Sequence, residues 1–262
     1  MRKVESGSLR LRVPLRRVAH RERVELARNI ASRIVKTYKD VVLAVCIDGS
    51  TAKKLDRPYS DLEMFCVVTD GQEIPGKFYL YDGLLVQIEY FQESKFLKEA
   101  ERVGFDWHLA ADEFRNRIVL FERDEWLKRL DKAVEGNNRA DFSEDLRWAT
   151  LAMTESLAAV RNARLKNDWR DTKTRAFYLA WDVSRVVFLY NRKYVLTTSW
   201  FWKLLFECEE QPKNLQDLID ILAGFKERTG GEIADAAEEL WRETMKMVQS
   251  RRFAINASDI IV

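Results

Sequence analysis

At 262 residues the chain can make one large domain or two ordinary ones, and a hydrophobic share of 47% is enough to bury a sizeable core. The 33% of charged residues nearly balance to a net charge of +2, which does not mark a nucleic-acid binder. No run approaches the roughly 20 apolar residues of a membrane span, and the first residues lack an apolar signal-peptide core, so a cytoplasmic protein without a membrane partner is expected. Two histidines, His20 and His108, argue against a zinc site, and Cys46, Cys66 and Cys208, without metal-ligand spacing, read as reduced core thiols.

Positive charge gathers at the start, where Arg2, Lys3, Arg10, Arg12, Arg16, Arg17, Arg21 and Arg23 face only Glu5 and Glu22. Residues 1–19 form a basic arm, either solvated or a phosphate or nucleic-acid contact, and Pro14 makes residues 1–18 an extended segment or a short edge strand. From 20 to 38, Val24, Leu26, Ala27, Ile30, Ile34 and Val35 recur at helical spacing while Arg and Glu fill the other face. Residues 41–47 are a nearly all-apolar strand, broken by Asp48-Gly49-Ser50. Residues 51–54 add a short helical turn whose first N–H groups face an anion, with Lys53 and Lys54 nearby.

After a return loop through Asp56, Pro58 and Ser60, a second strand runs over 61–68. Side chains alternate along a strand, so Asp61 and Glu63 share one face, and their repulsion calls for a cation between them. Strands 77–81 and 84–91 meet at Asp82-Gly83, the favoured pair for a type I′ hairpin. Gln87 and Glu89 share a face, and a third oxygen ligand comes from here if that face also carries Asp61 and Glu63.

Helical character begins at 93–101 and returns over 120–134; Gly136-Asn137-Asn138 is a run of turn formers that marks a domain boundary. Beyond it the chain reads as helices over 143–165, 174–190, 199–209, 215–228 and 233–248, with Leu146, Ala149, Met153, Leu157 and Val160 lining one side of the first. Their lengths and short links match a bundle. The expected fold class is α+β: a mixed-sheet domain over 20–136 followed by an all-helical bundle over 137–262.

A carboxylate pair at i and i+2 beside a turn of free N–H groups suits a divalent ion carrying a nucleoside triphosphate, and equally a solvated acidic edge. The wording GSTAKKLDRPYSDLEMF, residues 49–65, resembles the signature of the DNA polymerase β-type nucleotidyltransferase superfamily, a Gly-Ser followed by an acid-x-acid strand. It is most similar to the kanamycin nucleotidyltransferase group, enzymes like aminoglycoside 4′-adenylyltransferase. Further likeness lies at Glu155, six residues before Arg161-Asn162, and at Thr197-Thr198-Ser199, and it covers residues 20–262.

The resemblance implies a mixed-sheet nucleotidyltransferase domain and a helical bundle, with Gly49 and Ser50 holding the triphosphate and Asp61 and Glu63 binding Mg²⁺. It makes Glu155 the general base, and on a helix apolar along one side that carboxylate is expected to be partly desolvated. Arg161 contacts phosphate or pairs with neighbours of Glu155. ATP or another NTP is the co-substrate, a small hydroxyl-bearing molecule the acceptor. In that group the active sites lie between two subunits, so a homodimer is implied and Glu155 could serve its own site or its partner's.

Two departures stand out. The family's third carboxylate falls at Gln87, and the expected compensation is that Glu89 supplies the charge through a local change of register. A lysine of the family falls at Ala159, and the aromatics Trp200, Phe201 and Trp202 are core or acceptor wall. Three readings follow: a transferase acting on an aminoglycoside-like small molecule, a catalytically weak nucleotide-binding protein of the same fold, or a transferase acting on RNA or protein.

Overall fold

The structure, a computed structural model, describes residues 15–250. Residues 1–14 of the expected arm lie outside the described residues. The described residues form two compact units, residues 15–96 with 116–127, and residues 97–115 with 128–250.

The first unit opens with helix α1 (His20–Tyr38), the span its periodicity predicts; Ala27, Ala31 and Ile34 are buried along it, and so is Arg23. Lys39, at positive φ, ends the helix, and a 3₁₀ turn (Lys39–Val41) leads into strand β1 (Val42–Ile47). A one-turn helix α2 (Gly49–Ala52) follows, then β2 (Leu62–Val68). Strands β3 (Lys77–Tyr81) and β4 (Leu84–Gln92) form the expected hairpin, and Asp82 and Gly83 both take positive φ as a type I′ turn requires.

Strand β5 (Ile118–Glu122) completes a five-stranded sheet of order β3-β4-β2-β1-β5. Only β2 and β4 run parallel, so the sheet is mixed as expected. Leu62, Met64, Cys66, Val86 and Ile88 pack in one core with Ala27, Ala31 and Ile34 of α1. On the opposite face Phe65 and Phe91 meet Phe96, with ring centroids 5.1 and 4.8 Å apart.

β5 corrects the sequence reading, which takes residues 120–134 as helical. Ile118 to Phe121 is a short β-branched and aromatic run, and β1 offers it a free edge, so ladder pairing overrides the helical reading of the segment. Asp124 and Glu125 then take positive φ and stop the strand before any helix begins.

Helices α3 (Glu93–Glu101) and α5 (Leu127–Asn138) carry the chain between the units, and α4 (Trp107–Ala110) lies wholly in the second. The run 136–138 ends α5 rather than forming a turn. Asn137 is buried there because its side chain accepts from Trp107 Nε1 at 2.8 Å and Arg115 Nη2 at 2.7 Å and donates to the Arg102 carbonyl at 2.8 Å.

The second unit is helical. Helix α6 (Ser143–Leu165) buries the predicted row Leu146, Ala149, Met153, Leu157 and Val160 against α7 (Trp169–Tyr190) and α10 (Gly230–Val248). Asp168 caps α7, and Thr229 with Glu232 forms a capping box on α10. Between them α8 (Phe201–Phe206) and α9 (Leu215–Leu222) are shorter than their patterns suggest. Among the described residues no helix is long and apolar enough to cross a membrane.

Candidate active site

β1 ends at Ile47, and the backbone N–H of Asp48 donates to the Glu63 carbonyl at 3.2 Å, so the turn that follows is tied to the start of β2. Gly49, the first residue of α2, has φ +57°, a region that penalises any side chain. A β-carbon there would stand 1.7 Å from Oε2 of Glu63. The glycine is thus required twice over, for its dihedral and for the carboxylate that occupies its missing side-chain space. Thr51, next but one, is 1% exposed, and its hydroxyl is buried without a hydrogen-bond partner among the described residues.

Asp61 is the residue before β2 and stands in step with Glu63, both half-buried. The β2–β4 ladder pairs Glu63 with Gln87 and Phe65 with Glu89, so all four lie on one face of the sheet. The β3–β4 ladder adds Phe78, 68% exposed, opposite Gln87. Glu63, Gln87 and Phe78 therefore form one row across three strands.

The ladder between Leu62 and Val68 runs without a bulge, so the change of register expected to bring Glu89 level with Glu63 is absent. Glu89 stays one pleat along the strand, and the Gln87 amide donates to its carboxylate. Among the described residues no three His, Cys, Asp or Glu side chains gather as a ready-made metal cage.

Glu155 lies on α6, exposed between the buried Met153 and Leu157, which corrects the expectation of a partly desolvated carboxylate: its helical phase turns it away from the core row. Arg161 is paired with Glu238 of α10 through two bonds of 2.6 and 2.7 Å. Phe201 is buried and stacked on Trp181 at 4.4 Å, and Trp200 and Trp202 pack against the same core, so these aromatics serve the interior. The cysteines are free and buried; burial pushes the Cys46 and Cys66 thiols up to about 12 and Cys208 to about 11, leaving them protonated and inert.

Sequence reasoning missed two buried cations among the described residues, Arg185 of α7 and Arg23 of α1. Arg23 falls on the apolar stripe of α1, in line with Ala27, Ala31 and Ile34, and is 1% exposed. An arginine out of phase with the charged face was the available signal.

A Gly-Ser turn opposite an acid-x-acid strand in a mixed sheet, followed by a helical unit, defines a protein of the DNA polymerase β-like nucleotidyltransferase superfamily. The family profile of the KNTase C-terminal domain matches residues 124–254, half of the chain, and the chain belongs to that family. It is 18% identical over 238 residues to aminoglycoside nucleotidyltransferase (4′) from Staphylococcus aureus, covering 90% of this chain and 94% of that protein, and equally to the same-named protein from a Bacillus species. The crystal structure of a nucleotidyltransferase-like protein from Exiguobacterium sibiricum shares the fold, with a TM-score of 0.56 and 13% identity over 86% of this chain and 75% of that one.

Proposed function

We propose that the protein is a magnesium-dependent nucleotidyltransferase that moves a nucleoside monophosphate from ATP or another NTP to a hydroxyl of a small, aminoglycoside-like molecule. The observation that carries this reading is the Glu63 carboxylate seated in the side-chain space of Gly49, because it sets an acid of β2 directly beside the glycine-serine turn. Such a pairing is electrostatically costly for binding phosphate unless a cation lies between the two anions.

Magnesium keeps several waters and is held by one or two carboxylates together with substrate phosphates, so a donor pair rather than a cage suits it. Asp61 and Glu63 would hold the ion, which when bound neutralises charge on the triphosphate. Gly49 and Ser50 would hold phosphate oxygens through backbone N–H groups and the serine hydroxyl. Glu155, in its own subunit or its partner's within a homodimer, takes the proton of the acceptor hydroxyl as that oxygen attacks the α-phosphorus and pyrophosphate leaves. The names of the relatives support an aminoglycoside-like acceptor, a polycation that an acidic row would attract.

The test is incubation with labelled ATP, Mg²⁺ and a panel of aminoglycosides, following pyrophosphate release. Release that disappears in Asp61→Asn supports the reading; no release with any acceptor overturns it. Nucleotide binding without release favours the second reading, a weak or inactive nucleotide-binding protein, which rests on Gln87 standing beside Glu63 where a third carboxylate would.

A further inference from the structure

Burying the Arg23 guanidinium is costly unless its N–H groups find acceptors. They find three, all in the loop between α2 and β2: Nη1 donates to the Asp56 carboxylate at 2.6 Å, Nη2 to the Arg57 carbonyl at 2.7 Å, and Nε to the Ser60 carbonyl at 3.1 Å. The side chain of Asp56 is 2% exposed and is also bonded to Nδ1 of His20 at 2.8 Å. The same loop is held at Pro58, whose carbonyl accepts from the Val18 N–H at 2.8 Å, and across its own turn, where the Arg57 N–H donates to the Ser60 hydroxyl at 2.9 Å. The bond at Ser60 is the consequential one. Its carbonyl belongs to the peptide plane shared with Asp61, so fixing that oxygen fixes the backbone from which the Asp61 side chain departs.

We propose that Arg23 is a positioning residue for the nucleotide site: by clamping the Arg57 and Ser60 carbonyls it sets the chain's entry into β2 and holds the Asp61 carboxylate in step with Glu63. The inference rests on the reading of Asp61 and Glu63 as the holders of a metal–triphosphate. Its chemistry is specific to a guanidinium, whose planar fork reaches two carbonyls and a carboxylate at once. An ammonium can pair with Asp56 but cannot span all three. The rigid loop also explains how a carboxylate on a nine-residue connection keeps one geometry.

The experiment compares the full chain with Arg23→Lys and with Ile34→Val, a control that trims the same helix face away from the loop. Two quantities are read: Mn²⁺ binding in the presence of a non-hydrolysable ATP analogue, by electron paramagnetic resonance, and amide hydrogen exchange over residues 57–62. Arg23→Lys is expected to weaken Mn²⁺ binding roughly 10–100-fold, as loss of a partner behind a metal ligand does, and to speed exchange at 57–62. Ile34→Val should leave both as in the parent. Equal Mn²⁺ binding by Arg23→Lys and the parent, or equal losses in both variants, overturns the proposal and leaves Arg23 a purely structural ion pair. If Arg23→Lys does not fold, Asp56→Asn, which keeps the shape of the acceptor and removes its charge, must show the same two changes in smaller measure. Failure of the parent itself to bind Mn²⁺ with the analogue removes the nucleotide reading and this inference with it, whereas altered exchange with unaltered binding removes the inference alone.

Discussion

The carboxylate of Glu63 occupies the volume where residue 49 would carry a side chain, 1.7 Å from an ideal β-carbon on Gly49. Gly49→Ala must therefore either push Glu63 aside or move the turn, and it must also hold an alanine at φ +57°. The dihedral alone costs about 1–2 kcal/mol. Under the proposed role of Glu63, displacing its carboxylate by an ångström costs on the order of a hundredfold in rate. Gly49→Ala is thus expected to lose about two orders of magnitude of transfer activity with a fall of only a few degrees in thermal midpoint, measured side by side.

Gln87 faces Glu63 across the β2–β4 ladder, so Gln87→Glu would place a second carboxylate directly beside Glu63 without changing side-chain length. Without metal, added like charge lowers stability; with Mg²⁺ the same charge strengthens binding. The expected result is a lower thermal midpoint than the parent in EDTA and a larger rise on adding Mg²⁺. Glu89→Gln tests the other half of the row: a fall in metal-dependent activity is expected because the Gln87 amide now donates to that carboxylate, and unchanged activity rejects a role for Glu89.

The bounds of α1 and α6 were legible because each has a long 3.6-residue period, and the hairpin because Asp-Gly encodes its own dihedrals. What escaped depended on partners far away in sequence. β5 is a strand only because β1 has an open edge, and Gly136-Asn137-Asn138 stays helical only because Trp107, Arg115 and the Arg102 carbonyl consume the Asn137 amide. The site divided in the same way. The shared face of Gln87 and Glu89 follows from strand alternation, whereas their lying level with the face of Glu63 depends on the β2–β4 register and the burial of Arg23 on a loop no local pattern places against α1.

Asn137→Ala would leave the buried Trp107 indole N–H without its acceptor and cut one of the anchors of Arg115, which stacks on Trp107 and Tyr194. An unsatisfied buried donor and a lost charged hydrogen bond together cost about 2–3 kcal/mol. For a chain of this size the thermal midpoint should fall by roughly 5–10 °C. Calorimetry reads the shift, and an unchanged midpoint would show that the amide ties are dispensable.

His108 is fully buried in the helical unit, stacked on Phe188 at 5.6 Å, and neither ring nitrogen has a hydrogen-bond partner among the described residues. Burial, reinforced by the nearby Arg185 and opposed by Asp106, pushes its pKa from the ordinary 6.5 down to about 4. Between those values the unfolded chain binds a proton that the folded chain refuses. Stability is therefore complete above pH 6.5, falls as pH drops toward 4, and levels off below, because both states are then protonated. One proton corresponds to about 1.4 kcal/mol per pH unit, so the whole window is worth at most about 3 kcal/mol. Denaturant unfolding at pH 7.0 and pH 5.0 should show the parent losing stability on acidification, and His108→Leu, similar in volume and without a titratable group, losing less by about 2 kcal/mol. Parallel pH dependences in the two proteins would mean that the histidine takes up its proton equally in the folded and unfolded chains, with Asp106 offsetting burial and Arg185.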